Sequence, residues 1–230
     1  MHTLAALACI VSAATARADT RSTSVVVAPG GTNWSSTASF TKFHPSIGQL
    51  ESIAVTTSAE IRGGLGAENI TSNPVTTTAT FAALVTLTMP DQSVIDAPTP
   101  SRTFVDSLAA FDGTVDFSGT SGVTHAGIVA TDTRTMTMPP PASALAQFTG
   151  VGPIRLPVAA FDLSTWNGQA PARIAQTASA TITITYTFTP WPSTAFCFGD
   201  GSGAPCPCGN LGTSGNGCAS SPAPRHGRTS

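Results

Sequence analysis

This sequence has few charged residues. Charged residues make up 10% of the 230 residues, the formal net charge is −2, and Lys42 is the only lysine. A chain without a basic face cannot neutralise a row of phosphates, and it has no polybasic segment to attract an anionic membrane surface. We therefore predict that neither nucleic acid nor an anionic membrane is among its partners.

The periodicity of a long helix is also missing, whereas strand periodicity is strong. In "ASATITITYTFTP" every second residue from Thr181 onward is threonine, and the residues between them are Ile182, Ile184, Tyr186 and Phe188. A period of two is that of a strand with one buried face, and threonine, present 36 times, suits half-exposed strands. Short strands with no helices between them predict an all-β fold, an antiparallel β-sandwich of jelly-roll or immunoglobulin-like form; a barrel is the alternative.

Other segments extend this prediction along the chain. The apolar residues of "VTTTATFAALVTLTM" alternate in the same way, and in the strand from about Leu50 to Ile61 one face carries Ile53, Val55, Thr57 and Ala59. We predict a loop for "DQSVIDAPTPSRT", short strands for "GTVDFSG" and "GVTHAGIVATD", and about one helical turn at Ala142 to Phe148. "PIRLPVAA" is predicted to be an edge strand, because its two prolines lack the N–H that pairing with a neighbouring strand needs.

The N-terminus has the pattern of a secretory signal peptide. A short apolar run from Leu4 to Ala14 precedes a small-x-small site ending at Ala18. The run is too short to span a bilayer. We therefore predict a signal peptide at 1–18, a β-sandwich domain at 19–192 and an irregular tail at 193–230, in a protein that is secreted or held at the cell surface. The tail ends without an apolar segment, so we expect no transmembrane anchor in this chain.

Cysteines are few, and those left after removal of the signal peptide lie in the tail: Cys197, Cys206, Cys208 and Cys218. Their spacing, C-x8-C-x-C-x9-C, lacks the C-x2-C pairs typical of structural zinc and the C-x-x-C of redox proteins. An even count in an exported chain favours two disulfides. The pairing stays open, although a bond between Cys206 and Cys208 would close a strained ring. We predict no metal and no cofactor.

Several segments in order resemble a known family. They are "FTKFHPSIGQLESIAVTTSAEIRG", "SLAAFDGTVDFSGTSGVTHAG", "LAQFTGVGPIRLPVAA" and "ASATITITYTFTP". This set resembles the choice-of-anchor E domain, a bacterial exported module whose opening reads "F-x-x-F-D-P-S-L-G-x-L", and it covers about residues 25 to 190. His44 stands where that pattern has an acidic residue. The tail, "CFGDGSG…CPCGN…GNGC", resembles a cysteine-rich module of secreted planctomycete-type proteins. The resemblance implies export and a β-rich fold, and it implies no activity.

Candidate catalytic and binding residues are sparse. His44, His125 and His226 are isolated, and "GDGSG" lacks the context of a serine nucleophile, so we predict no catalytic residue. Asp112 and Asp116 form either a pair of carboxylates or tight turns in which each bonds its own backbone.

Two tryptophans are the other candidates. Trp34 and Trp166 either bind a ligand through exposed rings or pack against the end of the sandwich.

The function that agrees with these features is non-enzymatic. We predict an exported bacterial protein with a structural or interaction role at the cell surface or in the extracellular matrix, where envelope or matrix polymers are the partners to consider. The alternative is an extracellular module that binds carbohydrate or another ligand, and a hydrolase of unrecognised type is a third hypothesis.

Overall fold

The computed structural model describes residues 17–138, 143–167 and 172–191. The chain divides into two units, Met1–Pro190 and Trp191–Ser230. Three sets of residues lie outside the described ranges: the four cysteines of the predicted disulfides, His226 and most of the predicted signal peptide. The disulfides and the signal peptide therefore stay predictions. Within the described ranges, no helix has the length and apolar character needed to cross a membrane.

The described residues form strands and one short helix. The helix α1 spans Ser143–Phe148, close to the helical turn predicted there. The strands are β1 Asp19–Gly31, β2 Trp34–Thr41, β3 Gly48–Glu68, β4 Val75–Thr88, β5 Val94–Asp96, β6 Ser101–Leu108, β7 Gly122–Met138, β8 Pro153–Asp162, β9 Thr165–Asn167 and β10 Ala172–Pro190.

These strands form two antiparallel sheets. One has the order β1-β10-β3-β7, and the other has the order β2-β8-β4-β5, with β6 and β9 also paired to β4. The strands β5 and β6 follow each other along one edge of β4, since the N–H groups of Val85 and Ala83 bond Pro98 and Pro100 between them. The strands β8 and β9 follow each other along the other edge, joined at Leu163, whose N–H bonds Ala82.

The strands β5 and β6 can therefore be counted as one strand with an interruption, and so can β8 and β9. If strands are counted in this way, the two sheets have the orders 1-8-3-6 and 2-7-4-5, the topology of an eight-stranded jelly roll. The predicted antiparallel β-sandwich is confirmed, in its jelly-roll form rather than as a barrel.

The core fills the space between the sheets with the alternating residues that the sequence indicates. Ile53, Val55 and Ile61 of β3 are fully buried. The residues predicted to face a core in β4 and β10 do so as well: Phe81, Ala83, Val85, Leu87, Ile182, Ile184, Tyr186 and Phe188 are all buried. Burial of one face of each strand is the main stabilising term of such a sandwich.

The prediction that β8 is an edge strand is wrong, because β2 and β4 pair on its two sides. The β4 ladder begins only at Val158, so Pro157 lies beyond it. The Oγ1–H of Thr88 donates to the carbonyl of Pro157 at 3.5 Å, which places this residue's backbone groups toward β4. The missing N–H of Pro157 therefore removes no bond from either ladder.

Two further predictions on the β4–β7 region are wrong. "GTVDFSG" is a loop between β6 and β7 rather than a strand. "DQSVIDAPTPSRT" is not a loop throughout, because it contains β5 and the start of β6. In both places turn residues and β-formers alternate, and the long-range pairing to β4 decides which of them form strands.

Candidate functional site

The outer face of the sheet β1-β10-β3-β7 is covered with hydroxyl groups. We use the name hydroxyl face for this region, whose residues are given at the end of this paragraph. Its residues are paired in register across the four strands. Among the outward positions of this region only Val26 and Ala54 lack a hydroxyl. The hydroxyl face comprises Thr20, Ser22, Ser24, Ser52, Thr56, Ser58, Thr133, Thr135, Thr137, Thr181, Thr183, Thr185 and Thr187.

Hydrogen bonds between neighbouring strands order these hydroxyls in pairs. Ser22 bonds Thr185 and Ser24 bonds Thr183, each at 2.8 Å, across β1 and β10. Across β3 and β7, Thr56 bonds Thr135 at 2.9 Å, and Ser58 bonds Thr133 at 2.8 Å. Because each hydroxyl has one donor and two acceptor sites, every pair keeps hydrogen-bonding capacity for an external molecule.

An ion pair bounds the hydroxyl face. The Nε–H of Arg62 donates to Glu60 at 2.6 Å, and both residues lie on β3 next to the Ser58 row that ends the hydroxyl face. The hydrogen bond from Arg62 lowers the pKa of Glu60 below its usual value. This pair is solvent-exposed and contributes little to stability, but it separates an uncharged surface from a second feature of the same sheet.

That second feature is a cleft of about 270 Å³, which we call the glycine cleft. Its floor is the β3 backbone at Gly64 and Gly66, and its walls include Phe117, Thr124 and Arg173. A Cβ added to Gly66 would lie 3.2 Å from the Cβ of Phe117, and one added to Gly64 would lie 2.9 Å from the carbonyl oxygen of His125. The absence of side chains here lets the Phe117 ring lie close to the strand.

A buried carboxylate holds Phe117 in position. Glu68, at the end of β3, is fully buried. Its carboxylate accepts the N–H of Phe117 at 2.7 Å and the Oγ–H of Ser121 at 2.6 Å. The Oγ1–H of Thr124 donates to the carbonyl of Phe117 at 2.7 Å. Phe117 has a φ of 59°, in the left-handed region that bulky residues adopt only when their surroundings require it.

His125 forms one border of the glycine cleft. Its Nε2 lies 2.9 and 3.1 Å from the two carboxylate oxygens of Asp106. Its ring stacks on Phe104 with centroids 4.0 Å apart, and the Arg102 guanidinium lies 5.4 Å from the centroid of the same Phe104. The strand β6 thus supplies two side chains, Asp106 and Phe104, that contact this histidine.

The contacts of His125 differ from those of a triad histidine. In a catalytic triad the histidine bonds a carboxylate on one side and a nucleophilic hydroxyl on the other. Within the described ranges, both hydrogen bonds of the His125 ring go to Asp106. The adjacent hydroxyl of Thr124 donates to a backbone carbonyl instead.

The two predicted ligand-binding tryptophans are partly buried and pack against the core. Trp34 lies at the start of β2, and its Nε1–H donates to the carbonyl of Ala178 at 3.2 Å. Trp166 lies in β9, next to β4. This packing agrees with the interpretation that both residues close the end of the sandwich. Their role in ligand binding stays a prediction.

Asp112 and Asp116 act as turn residues. Asp112 accepts the N–H of Thr114 at 3.0 Å, and Asp116 accepts the N–H of Ser118 at 2.9 Å. Each carboxylate therefore bonds the backbone two residues ahead, the second of the two interpretations of these residues. The His44 side chain also bonds a near neighbour in sequence, since its Nδ1 lies 2.6 Å from the hydroxyl oxygen of Ser46.

The sequence analysis missed Glu68, Phe117 and Arg173 as members of a site. The available signal was the run "RGGLGAE", because closely spaced glycines inside a strand indicate a bulge or a close approach of other groups. The structure has a register shift in this run, between Gly63 and Leu65.

No protein-family model and no curated protein matches the chain. Solved structures of infectious bursal disease virus show partial similarity. The structure of its VP2 subviral particle is 10% identical, with a TM-score of 0.25, and the match covers 75% of this chain and 37% of that chain. The Gx strain structure is 11% identical, with a TM-score of 0.21 and coverage of 76% and 37%. The chain spans about two fifths of the length of these viral proteins.

Proposed function

We propose that this is a non-enzymatic exported bacterial protein with a structural or interaction role at the cell surface or in the extracellular matrix. The observation that carries the proposal is the hydroxyl face, a surface of ordered, uncharged donors and acceptors spread over four strands. Burying a hydroxyl against a hydrogen-bonding partner costs far less than burying a charge. Such a surface suits neutral, polyhydroxylated polymers of the cell envelope or matrix.

The export part of the proposal is tested by the intact mass of the protein recovered from its own cells. We expect the extracellular or surface fraction to contain a chain that begins at Asp19, with a mass that rises on reduction by the hydrogens of two disulfides. A chain that remains in the cytoplasm with its first residues would contradict the proposal. Broad esterase, peptidase and glycosidase screens of the same preparation test the non-enzymatic part, and a purified activity would contradict it.

A second candidate function is the binding of a carbohydrate ring in the glycine cleft. The Phe117 side chain offers an aromatic surface beside Arg173, Asp116 and Thr124. Aromatic rings bind the apolar face of a sugar, while the charged and hydroxyl groups around them bond its hydroxyls.

A glycan array with the parent chain and two variants tests this second function. Phe117→Ala is expected to abolish binding if the glycine cleft is the site, and Trp166→Ala is expected to abolish it if the exposed part of that tryptophan is the site. Phe161→Ala is the matched control, since Phe161 is an exposed aromatic on β8. No binding by the parent chain would contradict the carbohydrate hypothesis.

A further inference from the structure

The strand β7 forms one edge of the sheet that carries the hydroxyl face. It pairs with β3 on one side and is the last strand of the order β1-β10-β3-β7. From Ile128 to Met138 its pairing with β3 has no irregularity. A long regular edge offers unpaired backbone groups to another strand.

The opposite edge of the same sheet is different. The strand β1 has a register shift between Val27 and Gly30 and contains Pro29. Bulges and prolines are the usual features that prevent an edge from pairing with another chain. The β7 edge lacks both between Ile128 and Met138, so of the two edges it is the one open to a new strand.

The charges of β7 are complementary to those of a second β7. Asp132 and Arg134 lie two residues apart on the same face of the strand, and within one chain they form an ion pair at 3.0 Å. If two copies pair antiparallel with Thr133 opposite Thr133, then Asp132 of each copy faces Arg134 of the second copy. Thr131 then faces Thr135, a hydroxyl pair like the ones that already join β3 to β7.

The same charges exclude the neighbouring registers. Sliding one strand by two residues, the smallest shift that keeps the same faces together, places Asp132 opposite Asp132 in one direction and Arg134 opposite Arg134 in the other. Like charges directly opposite each other destabilise a strand pair, and opposite charges stabilise it. The short charged segment therefore specifies a single register on an edge that is otherwise uncharged from Ile128 to Met138.

We propose that the protein forms a symmetric homodimer by antiparallel pairing of the two β7 edges, centred on Thr133. The two four-stranded sheets then become one continuous sheet, in which the hydroxyl faces of the two copies meet at the Thr133 row. A two-fold axis at Thr133 makes each contact occur twice, as in other isologous interfaces. A dimer presents two hydroxyl faces to a polymer, and multivalent contact of this kind raises the overall affinity.

The test is sedimentation equilibrium of the exported chain at increasing protein concentration, with reductant present so that tail cysteines cannot link two chains. The parent is expected to dimerise reversibly. Arg134→Asp and Asp132→Arg each place like charges opposite each other and are expected to raise the dimer Kd by about tenfold or more. An equimolar mixture of the two variants restores complementarity, so it is expected to form a heterodimer.

Matched controls separate loss of association from loss of folding. Arg155→Asp makes the same charge change on an exposed position of β8 and is expected to leave the dimer Kd unchanged. Arg134→Asp keeps the bond between the Thr99 N–H and Asp132, which is 2.7 Å long. Circular dichroism reports the fold of every variant. A parent that is monomeric at all concentrations, or a dimer unaffected by both charge reversals, would overturn the proposal.

Discussion

The carboxylate of Glu68 and the backbone N–H of Phe117 form a 2.7 Å hydrogen bond that joins the end of β3 to the loop before β7. The residues are separated in sequence by the whole of β4, β5 and β6. This bond fixes an aromatic ring over a glycine floor, and it makes the shape of the glycine cleft depend on a single buried acid.

Replacement of that acid should destabilise the fold. Glu68→Gln keeps the size of the side chain but weakens the bonds from Phe117 and Ser121, and hydrogen bonds to a charged group contribute about 1.5–3 kcal/mol each. We expect the free energy of unfolding to fall by about 2 kcal/mol in urea denaturation. Glu60→Gln, in an exposed ion pair, is the control and should cost at most about 1 kcal/mol. Equal losses in the two variants would contradict this account of Glu68.

The glycine that begins β7 should tolerate no side chain. A Cβ on Gly122 would lie 2.3 Å from the backbone nitrogen of Ser118 and 2.4 Å from a Glu68 oxygen. Gly122→Ala is therefore expected to lower the free energy of unfolding by about 1–3 kcal/mol, the usual cost of overpacking. Gly31→Ala is the matched control, since a Cβ there meets nothing within 4 Å. If thermal melting gives the same midpoint for both variants, the close packing around Glu68 is not as described.

Tyr186 provides a direct measurement of burial, because it is the only tyrosine of the chain. Burial raises the pKa of Tyr186 from 10.0 to about 12, and its hydroxyl donates to the carbonyl of Thr41 at 3.0 Å. The folded state therefore holds this proton more tightly than the unfolded state. The resulting stabilisation is complete below pH 10 and is lost as the pH rises toward 12.

The measurement is the ultraviolet absorbance of tyrosinate during an alkaline titration. Folded protein is expected to ionise near 12, and protein in concentrated guanidinium is expected to ionise near the ordinary value. Ionisation of the folded protein at that ordinary value would show that Tyr186 is not buried between the sheets.

Substitutions on the inner and outer faces of the sheet that contains β10 and β7 are predicted to differ in their effect on stability. Ile184 is fully buried on β10, whereas Val129 on β7 is 42% exposed. Ile184→Ala is expected to cost about 2–5 kcal/mol, as other large-to-small core substitutions do. Val129→Ala should change the free energy of unfolding by less than about 0.5 kcal/mol. A larger effect at Val129 would show that the assignment of inner and outer faces is reversed.

How much the sequence predicts depends on how local the determining interactions are. The alternation in β10 predicts which of its residues are buried, because a strand with one buried face needs only that pattern. The position of Phe117 cannot be predicted in this way, since it depends on Glu68, a residue 49 positions away in sequence. The assignment of Pro157 fails for a similar reason, because it requires knowing where the β4 ladder begins.

The central claim is that the hydroxyl face is the interaction surface of the protein. Thr183→Lys places a charge in the middle of that face, and Thr103→Lys places the same charge on an exposed position of β6 in the other sheet. The measurement is co-sedimentation of each chain with insoluble envelope polymer from the producing cells. The account predicts that the parent and Thr103→Lys sediment with the polymer and that Thr183→Lys stays in solution. Equal sedimentation of all three chains would contradict it.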